Sequence, residues 1–249
     1  MKLFLLGALT ALLAIHTGHT AEPASWPEWR APMIAKFASD LKRLDDDIAQ
    51  RPGSWQLYSF RGDCRLFLGE FAGAVADFEK MIAIDPEQDA PHWRLGIAYY
   101  FNGQFEKSAR QFEKYHAYDG RDRENGIWQF LAQAKVTSLE KARAGMLVYA
   151  QFDREPFPSL YEMFAGKKTP DEVLAEIEHK GLAGDTEVAF FGSYYTGLAE
   201  EQLGHRQRAL ELLEKAVALP QARAPGGPGY MWQVARLHWE RLRATAAQK

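Results

Sequence analysis

The chain has 249 residues, 47% hydrophobic and 25% charged, with a formal net charge of −3. That composition is far from the disordered range, and near-neutral charge without a Lys/Arg stripe argues against non-specific binding to nucleic acid or an anionic membrane. The one cysteine, Cys64, rules out an internal disulfide and reads as a small packed residue within a helix.

Lys2 is followed by an uncharged apolar run, Leu3–Ile15, and then by His16, Thr17, Gly18, His19, Thr20 and Ala21. The pattern predicts a signal peptide over 1–21, cleaved after Ala21, and hence a periplasmic or secreted protein. The run is shorter than the roughly 20 residues a membrane span needs. No integral span is expected after cleavage, and no Cys stands at its end for lipid attachment. Residues 22–30, with Pro23 and Pro27, read as an exposed arm. Met33, Ile34, Phe37, Leu41, Leu44 and Ile48 then recur at helical spacing and predict a helix from Ala31 to Gln50, stopped by Arg51-Pro52-Gly53. Asp45, Asp46 and Asp47 within it are a solvated face, because neighbours on a helix point in different directions.

The next stretch is one unit written twice. Gly62, Phe67, Gly69, Phe71, Phe78, Glu79, Lys80, Ala83 and Asp85 return 34 residues later as Gly96, Phe101, Gly103, Phe105, Phe112, Glu113, Lys114, Ala117 and Asp119. The units span about 54–86 and 88–120. Gly62 and Gly96 are expected where two helices cross closely, and Gly69 and Gly103 in the turns between them. A degenerate unit follows over about 125–155. Its stripe is Ile127, Trp128, Leu131, Ala132 and Val136, Thr137-Ser138 replaces the glycine turn, and Leu139 to Gln151 is the expected return helix. An irregular segment, about 156–189, holds a short helix at Ser159–Ala165 and a strong helix start at Thr169-Pro170-Asp171-Glu172. The repeat pattern returns over about 190–220: Gly197, Gly204, Ala209, Leu213, Glu214 and Lys215 match Gly62 and its successors at an offset of 135, one short of four periods. After a Gly/Pro-rich loop at 224–229, Tyr230 to Ala244 is expected as a capping helix on the end of the array, about 230–244.

No nucleophile elbow, HExxH pair, CxxC pair or phosphate loop is present, and no catalytic residue or cofactor is assigned. His92 and His116, expected at adjacent helix ends with Asp119 and Glu124 nearby, leave open a metal-dependent binding protein or enzyme. The spacing matches no standard ligand pattern, and no metal is assigned. A second constellation is the inward side of the first helices. Counting from the glycines places Gln56, Ser59, Asp63, Trp93, Ile97, Tyr100, Gln129, Gln133, Tyr194 and Glu201 there. Trp93, Ile97, Tyr100, Gln129, Gln133, Tyr194 and Glu201 form the expected groove for a protein or peptide partner, aromatics and amides being suited to an extended peptide or a helix. A self-assembling structural module is a further reading.

The 34-residue helix–turn–helix period resembles the tetratricopeptide repeat (TPR) family and implies an all-α TPR helical solenoid over 31–244. HWRLGIAYYFNGQFEKSARQFEKYHAYD, IWQFLAQAK, LYEMFAGKKTPDEVLAEI and SYYTGLAEEQLGHRQRALELLEKAVAL resemble, in order, segments of the NlpI family of bacterial envelope TPR lipoproteins, over roughly Trp55 to Leu242. The resemblance implies a non-catalytic envelope adaptor that forms homodimers and docks proteases or peptidoglycan hydrolases. Without the lipidation Cys, outer-membrane anchoring does not carry over.

Overall fold

The computed structural model describes residues 26–224 and 227–246. The expected signal peptide and the first residues of the arm lie outside them. Among the described residues all regular structure is helical: α1 (Arg30–Gln50), α2 (Trp55–Leu68), α3 (Phe71–Ile84), α4 (Trp93–Phe101), α5 (Phe105–Tyr118), α6 (Arg123–Val136), α7 (Leu139–Ala144), α8 (Phe157–Phe164), α9 (Pro170–His179), α10 (Thr186–Gln202), α11 (Arg206–Ala218), the single turn α12 (Pro220–Arg223) and α13 (Gly229–Ala246). None of these helices is long and apolar enough to cross a membrane.

Three helical hairpins realise the repeated sequence. In α2/α3, α4/α5 and α10/α11 the chain reverses through Gly69, Gly103 and Gly204, with φ of 82°, 74° and 82°. Residues with a Cβ adopt this left-handed conformation only at a cost, so glycine is the natural choice there. The helices then cross on a second glycine. A Cβ on Gly62 would lie 2.5 Å from the ring of Phe78, one on Gly96 2.7 Å from Phe112, and one on Gly197 3.1 Å from Leu213. In the second hairpin Ser108 Oγ also donates to the Gly96 carbonyl at 2.8 Å, which fixes the crossing point.

The degenerate unit departs from this plan. Its return helix, expected to reach Gln151, ends at Ala144. Residues after Gly145 run without regular structure across α6, where Gly126 leaves space that the ring of Tyr149 fills: a Cβ at Gly126 would lie 2.6 Å from its hydroxyl. Tyr161 Oη donates to the Leu147 carbonyl at 2.7 Å and pins the segment. The aromatic side chains of 149 and 161 thus take the place of a packed helix. α9 begins as expected, with Thr169 and Glu172 bonded reciprocally in a capping box.

Two expectations about the ends are corrected. The last helix does not cap the array; α13 runs along its inner side and meets several helices there. Tyr230 packs edge-on against Phe67 and Trp93 at 4.9 and 4.8 Å, His238 lies against Phe101 at 4.7 Å, and Trp232 Nε1 donates to the Val217 carbonyl at 3.1 Å. Nor do Trp26 to Arg30 form a free arm. Trp29 stacks edge-on against Trp232 at 5.0 Å, Trp26 against Trp239 at 5.8 Å, and Arg30 Nε donates to Glu240 Oε1 at 2.8 Å. The aromatic content of both ends explains the outcome: Trp232 and Trp239 need an apolar cover, and Trp26 and Trp29 supply one. α13 belongs to the main core; a smaller core joins α1, α2 and α3 around Leu44, Ile48, Leu57, Cys64 and Met81. Burial there pushes the Cys64 thiol up to about 11, so it behaves as a packing residue.

Candidate functional site

Four of the seven groove residues do face inward, but the groove is occupied. Tyr194 Oη and His238 Nδ1 are hydrogen-bonded at 2.8 Å, Tyr100 meets the His238 ring at 5.9 Å, Glu201 faces Arg241 at 3.8 Å, and Trp93 covers Tyr230. The three partner residues, Tyr230, His238 and Arg241, are all on α13. Tyr100, Tyr194 and Ile97 are buried, and Trp93 and Glu201 are half-buried. Burial pushes the Tyr100 hydroxyl up to about 12. The array's own last helix therefore fills the space assigned to a partner.

Gln129 and Gln133 are corrected more simply. Both side-chain amides point toward Glu113 of α5, at 3.4 and 3.3 Å, and Gln129 also reaches the Gly145 carbonyl. Gln129 is buried. The phase counted from the regular glycines fails in α6, because Phe130 stands at the position equivalent to Gly96 and the small residue of this helix is Gly126. The inward face of α6 is instead Glu124, Asn125 and Trp128.

His92, His116 and Glu124 are not gathered into one centre, and no group of three metal-ligating residues exists among the described residues. His92 caps α4, its Nδ1 accepting from the Leu95 amide at 3.1 Å, and its ring rests on Phe78. Burial holds it neutral, with its pKa lowered to about 3. His116 packs against the ring of Tyr149. Glu124 has separate partners.

Those partners belong to a cavity of about 320 Å³ at the start of α13, lined by Trp93, Asp122, Glu124, Asn125, Trp128, Arg154, Glu187, Phe191 and the segment Gly227–Met231. Here the inner face stays open. Asp122 caps α6 by accepting from the Glu124 amide at 3.0 Å, which brings Glu124 inward on the first turn. Glu124 Oε1 accepts from Tyr195 Oη at 2.6 Å, and that oxygen accepts from Trp128 Nε1 at 3.0 Å. Glu124 Oε2 accepts from Arg154 at 2.8 Å, while the guanidinium also lies 3.7 Å from Asp122 and 3.5 Å from Asp153 and stacks over Phe157 at 4.3 Å. Burial, reinforced by the charge of Asp122, pushes Glu124 up to about 8; burial also raises Asp122. The cavity thus combines carboxyl groups, one shared guanidinium and aromatic walls, a set suited to recognising a small polar group.

Of the expected groove only Trp93 lines this cavity. Asn125, Arg154, Glu187 and Phe191 carried no sequence signal: Arg154 stands in an aperiodic stretch, and the others read as ordinary helix positions. Glu124 was legible only as a candidate metal ligand, and Trp128 only as part of an apolar stripe. No known protein-family model matches the chain.

Proposed function

We propose that the chain is an exported TPR-type helical scaffold, a binding rather than catalytic protein, that holds partner proteins in the bacterial envelope and docks proteases or peptidoglycan hydrolases there. The observation that carries the binding role is the cavity of about 320 Å³ left open on an inner face otherwise filled by α13. The three glycine-crossed hairpins support the TPR assignment, the apolar run Leu3–Ile15 supports export, and the resemblance to the NlpI family supports the envelope role and a homodimer. The exposed side chains of Phe60, Val148 and Phe152, at 58%, 85% and 74%, supply additional apolar contact points on the outside. In the test, a photo-crosslinking residue replaces Trp93, Glu187 or, as an outer comparison, Lys80, in cells that express the full chain. Crosslinks to a defined envelope protein at 93 and 187 but not at 80 are expected. Absence of crosslinks at every position, or cytosolic protein retaining residues 1–21, would refute the proposal.

A further inference from the structure

We infer that the cavity between α4, α6, α10 and the start of α13 takes an alkylammonium group, the chemistry of a lysine side chain or a free alkylamine; the inference rests on the binding role proposed for that cavity. Three carboxyl groups line it, those of Asp122, Glu124 and Glu187, against the single guanidinium of Arg154. That guanidinium is already committed, with Glu124 at 2.8 Å, Asp153 at 3.5 Å and Asp122 at 3.7 Å. With Glu124 held protonated by its burial, the carboxyl groups of Asp122, Asp153 and Glu187 still outnumber the one guanidinium, so an anion entering the cavity would meet excess negative charge, whereas a cation would relieve it. Asn125 adds an acceptor: it is only 4% exposed, lines the cavity, and its side-chain amide makes no hydrogen bond among the described residues. Its amide therefore faces only the solvent of the cavity, and an N–H donor entering there would take the place of water at its oxygen. The walls suit the rest of such a ligand. Trp93, Trp128, Phe191 and Tyr230 offer apolar area for an alkyl stem and ring faces or edges near a cationic head.

The test uses the isotope-labelled full chain and follows the Trp93 indole and Asn125 side-chain amide resonances by NMR. The probes are a blocked Ala-Lys-Ala peptide, the same peptide with norleucine or glutamate at the centre, and n-butylamine. Saturable shifts with the lysine peptide and butylamine are expected, with binding at least about ten-fold weaker for the norleucine and glutamate peptides. Glu187→Gln, at an exposed position that leaves the core untouched, should weaken lysine-peptide binding several-fold, and Glu124→Gln should do so above about pH 8, where the Glu124 carboxyl is ionised. Tighter binding of the lysine peptide than of butylamine identifies a protein side chain as the source; the reverse order identifies a free amine, and both support the inference. Equal binding of the norleucine or glutamate peptide overturns the cationic specificity while leaving the scaffold role intact. No shift with the lysine peptide, in a protein that still crosslinks a partner through position 93, overturns this inference alone. Lysine-peptide binding without any crosslinked partner upholds the site and removes the scaffold role instead.

Discussion

Gly96→Ala sets two opposing effects against each other, and the structure gives the size of both. Within a helix alanine is favoured over glycine by about 0.5–1 kcal/mol. Against this, the new Cβ would lie 2.7, 2.8 and 3.1 Å from three atoms of the Phe112 ring. The ring would have to retreat by several tenths of an ångström, but Phe112 is fully buried and stacked on Trp128 at 6.0 Å, so it has nowhere to go. Overpacking of this kind costs about 1–3 kcal/mol, leaving a net loss of roughly 1–2 kcal/mol. Gly62→Ala should behave alike, with Phe78 held between His92 at 4.7 Å and Arg94 at 5.6 Å. Gly197→Ala should be close to neutral, because its nearest atoms, at 3.1 and 3.2 Å, belong to the aliphatic end of Leu213. Gly73 is the milder comparison: its nearest atoms are Cδ and Nε of the half-buried Arg65, a flexible stem that can shift while its guanidinium keeps the 2.8 Å bond to Asp77, so Gly73→Ala should cost clearly less than Gly96→Ala. Urea unfolding followed by circular dichroism measures all four, and for a chain of this size each kcal/mol corresponds to about 2–4 °C in Tm. Phe112→Leu in the Gly96→Ala background should cost less than Phe112→Leu alone, a coupling of at least about 0.5 kcal/mol. Gly96→Ala at parental stability, or Gly73→Ala falling as far as Gly96→Ala, would show that these are not tight crossings.

Glu124, at about 8 in the folded chain against an ordinary value of 4.5, keeps a proton that the unfolded chain has lost. Its contribution to stability therefore falls as pH rises from 4.5 to 8, by at most about 1.4 kcal/mol per pH unit, and is flat above. Glu124→Gln should flatten the stability profile between pH 5 and 8, and parallel profiles would count against the buried-acid assignment. His92, at about 3 against 6.5, acts in the opposite sense: the unfolded chain gains the proton first, so stability falls as pH drops from 6.5 toward 3. His92→Asn retains a capping acceptor for the Leu95 amide and should reduce acid sensitivity in that window; unchanged acid unfolding would contradict this. Arg236→Met removes the anchor of α13 on the Phe67 carbonyl, 2.6 Å away, together with the 3.0 Å pair to Glu240 within the same helix, while keeping most of its apolar bulk. Faster amide hydrogen exchange is expected at 232–235, where the hydrogen-bonded amides of α13 begin, and exchange at the parental rate would show that Arg236 does not hold the helix in place.

Helical character and the two clear hairpins were legible in the sequence because they rest on local chemistry. Left-handed turns need glycine, close crossings need a missing Cβ, and Thr169 with Glu172 carries its capping box in four residues. The inward assignment of Trp93, Tyr100, Tyr194 and Glu201 followed from the same glycine phase. It failed at Gln129 and Gln133, where the glycine is displaced to Gly126 and the local register shifts with it. The path of α13 was illegible for a different reason. A helix carrying Trp232, Leu237 and Trp239 declares that it must be covered, but periodicity does not say whether by the end of an array or by its inner wall. The long-range partners that decide this, such as Trp29 with Trp232 and Arg236 with the Phe67 carbonyl, are separated by 203 and 169 residues.

Placing α13 on the inner face also explains why an open cavity survives at one end of it. Apolar packing alone leaves a helix free to slide along a wall of similar aromatics, one turn being about 5.4 Å. Polar anchors remove that freedom, since each can be satisfied in one register only. Arg236 reaches the Phe67 carbonyl at 2.6 Å, and His238 meets Tyr194 Oη at 2.8 Å, both in surroundings that make an unpaired group expensive. The start of the helix is thereby set at Gly229, with Tyr230 between Phe67 and Trp93. A register one turn further on would push Tyr230 and Met231 past the wall they now complete. The cavity at Glu124 and Asn125 is therefore a consequence of where two buried polar residues of α13, well removed from the carboxyl groups themselves, are bonded. Its dimensions should respond to changes at 236 and 238 as directly as to changes in its own lining.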